Sequence, residues 1–202
     1  MNFFKKLIQN ITSLKESEEV THSSVNPHNS DGLPLDELFV KNFISKGGKF
    51  LYCSDTDELE QNLLQILQEN KWNNMVCFDD DLNKFLTRIK SAKTKEIVHN
   101  LPFFTVCEAL TADDGSIMFS SKQLKGKKLK DLPVNFIVFA KTSQLVKSIR
   151  EGVMTVRARA ESNSPTIVSS VKNYTPDNQG SDFMNYGNTN AKALYLLLLE
   201  DL

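Results

Sequence analysis

The sequence predicts an α/β fold: an open, mostly parallel sheet with helices on both faces. Three observations carry that reading. Short strand-like runs alternate with amphipathic helical segments between residues 35 and 89, the rhythm of repeated strand–helix units. Two runs, Val134–Ala140 and Ala193–Leu199, are apolar almost throughout, as strands buried on both faces are. The chain has 202 residues, 40% hydrophobic and 24% charged. That is enough to bury a sizeable core without disulfides or metals, and cramped for two full domains.

Each element has its own signal. Residues 2–14 suit a short amphipathic helix, with Phe3, Phe4, Leu7, Ile8 and Ile11 on one face. Its apolar face fits packing on its own domain or on a second copy better than a membrane surface, because the helix is short and carries few basic residues. Residues 15–33 are polar and turn-rich, a linker, and residues 34–202 form one α/β domain. Leu35, Leu38, Phe39 and Phe43 then mark a helix that Gly47-Gly48 stop. Lys49–Cys53 is a short strand. Ser54 and Asp57 read as a capping box opening the next helix, whose buried face is Leu59, Leu63, Ile66 and Leu67. Asn74–Phe78 is a second strand. Asp79-Asp80-Asp81 places acid at the positive end of a third helix, which buries Leu82, Phe85, Leu86 and Ile89. Dipole complementation explains that triplet with fewer assumptions than a metal site.

The second half is less helical. Phe103–Ala109 and Gly115–Ser121 read as strands around an acidic turn, followed by the strand Val134–Ala140. Thr142 suits the cap of a helix presenting Leu145, Val146, Ile149 and Val153. Residues 161–190, rich in Ser, Asn, Gly and Pro, make a long irregular excursion before the last strand.

Composition excludes several classes. A net charge of −1 argues against a nucleic-acid binder. Three separated cysteines, Cys53, Cys77 and Cys107, make a poor disulfide framework. Without a Cys-x-x-Cys, or a His pair at helical spacing among His22, His28 and His99, this chain is expected to hold no metal or iron–sulfur cluster alone. No secretory leader and no apolar run of roughly 20 residues is visible, so the expected location is cytoplasmic, with no membrane span. A dinucleotide fingerprint and a Walker phosphate loop are missing.

In open α/β sheets, ligands sit beyond the carboxyl ends of strands, which directs attention to loops 110–116 and 180–191. Asp113, Asp114, Gly115 and Ser116 form the densest polar cluster. Exposed amides there can cradle an anion, and a carboxylate there can orient substrate or move a proton. The same residues also make a good turn between strands. Asn185, Tyr186, Asn188 and Thr189 offer hydrogen bonds to a small polar ligand from the other loop, or equally form the turn before the last strand. Lys122, Lys125, Lys127, Lys128 and Lys130 crowd one short segment, either a seat for an anion or acidic partner or, more commonly, a solvated loop.

The stretch Leu110–Ser121, the Leu132-Pro133 before an apolar strand, the helix signal at Gln144-Leu145-Val146 and the segment Asn185–Lys192 before the last strand together resemble the LUD-domain family. That family includes the lactate utilization protein C group. The likeness covers about residues 35–202. Asp113 stands where the family has glutamate, Asp114 where it has threonine, and Gly187-Asn188-Thr189 where it has His-Gly-Pro. The family's Gly-Pro-Ser…Asp-Ile-Glu segment is not recognisable between residues 160 and 184.

The resemblance implies a fold like that of ribose-phosphate isomerases, glucosamine-phosphate deaminases and CoA transferases. It implies a subunit or accessory factor of L-lactate oxidation that binds a small organic anion and works with iron–sulfur partner proteins. Within that frame Asp113 and Asp114 are the candidate catalytic residues, and Gly115, Ser116, Gly187, Asn188 and Thr189 the candidate ligand-binding ones. Two other readings stay open: a stand-alone isomerase or CoA/acyl-transfer enzyme, and a non-catalytic interaction module. A homo-oligomer is compatible with all three.

Overall fold

Six strands build a wholly parallel sheet in the computed structural model, which describes residues 33–159, 167–176 and 190–201. The expected helix over 2–14, nearly all of the 15–33 linker and the 180–189 loop lie outside the described residues. In chain order the elements are α1 (Leu35–Ser45), β1 (Lys49–Cys53), α2 (Thr56–Glu69), β2 (Asn74–Val76), α3 (Asp80–Arg88), β3 (Ala92–Thr94), β4 (Phe103–Val106), β5 (Ala109–Thr111), β6 (Ser116–Ser120), β7 (Asn135–Lys141), β8 (Leu145–Val146), α4 (Ile149–Arg159), β9 (Val168–Val171) and β10 (Ala193–Leu199). The large sheet runs β1-β10-β7-β4-β2-β3, every pair parallel.

The apolar run of β10 explains its central place. Leu194, Leu196 and Leu198 face one side, and Tyr195 and Leu197 the other, all nearly inaccessible, as the two-residue period of a strand requires. On one face α2 and α3 lay Leu59, Leu63, Ile66, Leu67, Leu82 and Leu86 over Phe104, Ile137, Tyr195 and Leu197. The opposite face receives Phe39, Val40 and Phe43 of α1, and beside them a second sheet.

That second sheet is the feature the sequence did not disclose. Its order is β8-β5-β6-β9, with β5–β6 and β6–β9 antiparallel and β5–β8 parallel. The stretch expected as one strand over 103–109 is two, divided by Cys107-Glu108. Two neighbouring strands of the large sheet thus step into neighbouring strands of the small one, β4 into β5 and β7 into β8. Gln144 Nε2 on one crossover donates to the Cys107 carbonyl on the other at 2.6 Å. Leu110, Ile117, Phe119 and Val171 of the small sheet join the core over Phe103, Phe136 and Val138. On its outer face Ala109, Met118 and Val146 pack with Ile149 and Val153 of α4. Gly152 of α4 lies against the Met118 sulfur, which occupies the space a Cβ would take.

Three local expectations shift. The cap of α2 is Asp55, whose carboxylate accepts from the amides of Asp57 (2.9 Å) and Glu58 (2.8 Å). Glu58 accepts from the Ser54 amide at 2.9 Å, the residue before the cap, so the expected Ser54–Asp57 capping box is replaced by a one-sided cap at Asp55. Thr142 caps no helix: its hydroxyl donates to Asp201 at 2.9 Å. Leu145-Val146 pair with Leu110-Thr111 as a strand, and the helix starts at Ile149. The excursion over 161–190 contains a strand, Val168–Val171.

Asp79 caps α3 by accepting from Asp81 (3.0 Å) and Leu82 (2.8 Å), as the acidic triplet implied. At the amino edge of the sheet, Lys192 is 2% exposed and donates to the Leu132 and Pro133 carbonyls, each at 3.0 Å. Burial pushes its ammonium down to about 8, and Asp131 only partly offsets this. All three cysteines are buried free thiols. Burial raises Cys53 and Cys77 to about 11, which keeps them inert at neutral pH.

Candidate functional site

The 112–115 turn joins β5 to β6, with Thr111 paired opposite Ser116. Gly115 holds φ at +61°, and its backbone sits against the C-terminal half of α1. A Cβ there would meet the Phe43 amide nitrogen at 2.5 Å. Only glycine satisfies both demands. Asn42 Nδ2 donates to the Ala112 carbonyl at 2.8 Å and to that of Asp113 at 3.2 Å. Lys46 Nζ donates to the Asp114 carbonyl. Tyr174, nearly inaccessible, donates its hydroxyl to the Gly115 carbonyl at 2.7 Å. The turn is therefore clamped from α1 on one side and from the segment after β9 on the other.

The two aspartates have opposite roles. Asp114 is spent within the turn. Its Oδ1 accepts from the Thr111 hydroxyl (2.7 Å) and the Ser116 amide (3.1 Å), and its Oδ2 lies 3.3 Å from Lys172 Nζ. Burial alone would push this carboxyl up, but the bonds from Thr111, Ser116 and Lys172 outweigh it and hold the group below its usual value. Asp113 is exposed. Its carboxyl is raised, first by partial desolvation and then by the neighbouring Asp114 charge.

Of the residues singled out in the sequence, Asp113, Asp114, Gly115 and Ser116 come together on this turn. Ser116 lies beneath it, fully buried, its hydroxyl 2.6 Å from that of Thr111. The amides of Ala112 and Asp113 donate to the Val146 and Lys147 carbonyls, both at 3.0 Å. With the Ser116 amide on Asp114, these donors serve the turn itself rather than an anion. Gly187, Asn188 and Thr189 lie outside the described residues.

A second polar group gathers at the carboxyl ends of the large sheet. Asp201, just past β10, accepts from the Thr142 hydroxyl (2.9 Å), the Ser143 amide (2.9 Å) and the Ser143 hydroxyl (2.7 Å). Tyr52 of β1 donates to Glu200. No motif announces these residues, because they lie some 60 to 150 positions apart. Only the strand order brings them together. Among the described residues, no group of three or more His, Cys, Asp or Glu is placed to hold a metal ion. No described helix is long and apolar enough to cross a membrane.

The turn makes a direct prediction. Asp114→Ala is expected to lower stability at pH 7 by about 2 kcal/mol, because buried Thr111 and Ser116 lose their acceptor. A carboxyl held low favours the fold above its unfolded value, and that advantage disappears as pH falls through its folded value. The gap between wild type and variant therefore narrows below about pH 4. Urea unfolding of both proteins at pH 7 and pH 3 measures it.

Comparison with known proteins gives a fold relationship. No protein-family model matches the sequence, and no curated protein matches it. Among solved structures, the chain is similar to a DUF162 family protein from Deinococcus radiodurans. The two superpose with a TM-score of 0.57 at 16% identity, over 83% of this chain and 96% of that one. DUF162 is the LUD-domain family. At that identity the likeness establishes a shared α/β fold.

Proposed function

We propose that this protein is a cytoplasmic subunit or accessory factor of organic-acid oxidation, similar to lactate utilization protein C, that binds a small organic anion at the 112–115 turn. The observation that supports this reading most is the fold shared with the DUF162 protein over nearly all of that chain, joined to the LUD-like order of motifs in the sequence. At the turn, Asp113 is the carboxylate left to meet a substrate. Asp114, Gly115 and Ser116 fix its backbone from below. Because the turn uses the Ala112, Asp113 and Ser116 amides itself, the attraction for an anion comes from Lys46 and Lys172. Among the described residues the Lys46 ammonium meets only the neutral Asp114 carbonyl. Asp113 orients the ligand or carries its proton. The reading assigns no cofactor to this chain, so electrons from a substrate pass to iron–sulfur partner proteins.

A second reading rests on the raised carboxyl of Asp113. A group that keeps its proton more readily suits acid–base work in a stand-alone isomerase or acyl-transfer enzyme. Native mass spectrometry of the protein, purified anaerobically from its own host, separates the two. Iron–sulfur proteins in the assembly are expected. A lone chain or homo-oligomer carrying a small anion would move the assignment to the independent enzyme. If Asp113→Asn abolishes activity while the partners stay bound, a purely structural interaction module is excluded.

A further inference from the structure

We propose that Lys95, Lys125 and Lys127 frame a binding site for a small multivalent anion that carries an apolar portion, at the carboxyl ends of β2 and β3. The site is separate from the 112–115 turn and stands whether or not the organic-acid reading holds. It is a cavity of about 600 Å³ lined by Phe78, Lys95, Glu96, Ile97, Lys125 and Lys127. Phe78 follows β2, and Lys95, Glu96 and Ile97 follow β3. Open parallel sheets bind ligands at this end of their strands.

The lysine segment after β6 is built, not merely solvated. Leu124 and Leu129 are 2% and 3% exposed and anchor it in the main core. The Leu124 amide donates to the Ser120 carbonyl at 3.1 Å, and the Gly126 amide to the Ser121 carbonyl at 2.8 Å. Ser120 and Gln123 exchange side-chain and backbone bonds at 3.1 and 3.3 Å. Lys125 is held at φ +49° and Gly126 at +73°, a conformation a lysine rarely adopts. Lysines from two segments, Lys95 after β3 and Lys125 and Lys127 after β6, thus line one cavity with Phe78 and Ile97.

The neighbouring acids cancel part of this charge: Asp80 pairs with Lys95 at 3.0 Å and Glu96 lies on the lining, so Lys125 and Lys127 supply the positive excess. A monovalent ion would gain little from exposed lysines. An anion with two or three charges can bridge Lys125 and Lys127 and draw in Lys95, while its carbon skeleton covers Phe78 and Ile97.

The test is amide NMR titration of the full-length protein with benzene-1,3,5-tricarboxylate and, separately, with phenyl phosphate, each a multivalent anion on an apolar ring. Saturable shifts centred on Phe78, Ile97 and Lys125 are expected with at least one of the two. The tighter ligand tells a carboxylate site from a phosphate site. The double variant Lys125→Gln/Lys127→Gln should weaken binding roughly tenfold. Lys122→Gln/Lys130→Gln, the same charge change on residues that do not line the cavity, should stay within about twofold of wild type. Equal losses in the two variants would reduce the effect to net charge and overturn the site. So would the absence of saturable shifts with both anions.

Discussion

Gly115→Ala is expected to destabilise the protein by roughly 3 kcal/mol, through left-handed backbone strain and a clash with α1. At this position the two costs coincide. The backbone sits at φ +61°, and the new methyl would be driven to 2.5 Å from the Phe43 nitrogen and 2.6 Å from the Asn42 carbonyl carbon. Both neighbours are helical backbone, which cannot rotate aside as a side chain does. The turn must lift, and lifting it breaks the bonds from Asn42 and Tyr174 that clamp it. Urea denaturation reads the loss directly. Gly126→Ala is the control. Its φ is also positive, at +73°, but a Cβ there meets nothing within 4 Å, so only the conformational cost of about 1 kcal/mol should remain. If the two variants lose the same stability, the close approach of the turn to α1 is wrong.

Phe136→Ala should cost more still, roughly 3–5 kcal/mol for a fully buried aromatic. Phe136 lies on β7, near the middle of the large sheet, and is completely inaccessible. Its ring centroid is 5.1 Å from Phe103 in the same sheet and 6.0 Å from Phe119 in the small one. Lys192 Nζ lies 5.1 Å from its centroid. Removing the ring therefore loosens the contact between sheets as well as the core within one of them. Val134→Ala, two residues earlier at a position 47% exposed, should change stability by no more than about 0.5 kcal/mol. Thermal unfolding followed by circular dichroism and by calorimetry compares the pair. The Phe136 variant is expected to unfold at a lower temperature with a broader transition.

The parts legible in the sequence share one property: their signal is complete within a few residues. β1 and β10 occupy the residues expected of them, because runs of four (Phe50–Cys53) and seven (Ala193–Leu199) apolar residues have few other uses in an α/β chain. The helix faces of α2 and α3 followed from spacing alone. Of the small sheet only β6 was legible, within Gly115–Ser121; its other strands are two to four residues long and are stabilised by partners elsewhere in the chain. Leu145, Val146, Ile149 and Val153 illustrate the ambiguity. Their spacing suits a helix, yet pairing with Leu110 and Thr111 makes the first two a strand.

The same division applies at the site. The turn over Asp113, Asp114 and Gly115 is written in its own residues. Its clamps at Asn42, Lys46, Lys172 and Tyr174 lie about 60 to 70 positions away and carry no local mark. The division of labour between the two aspartates follows from those clamps, so it too was invisible.

The paired crossovers from β4 to β5 and from β7 to β8 have a mechanical consequence. One connection between two layers acts as a pivot, about which the layers can swing. Two running side by side, tied by Gln144 to the Cys107 carbonyl, act as a strap and resist twist. Any rotation of the small sheet must bend both links at once and shear the Phe119–Phe136 contact beneath them.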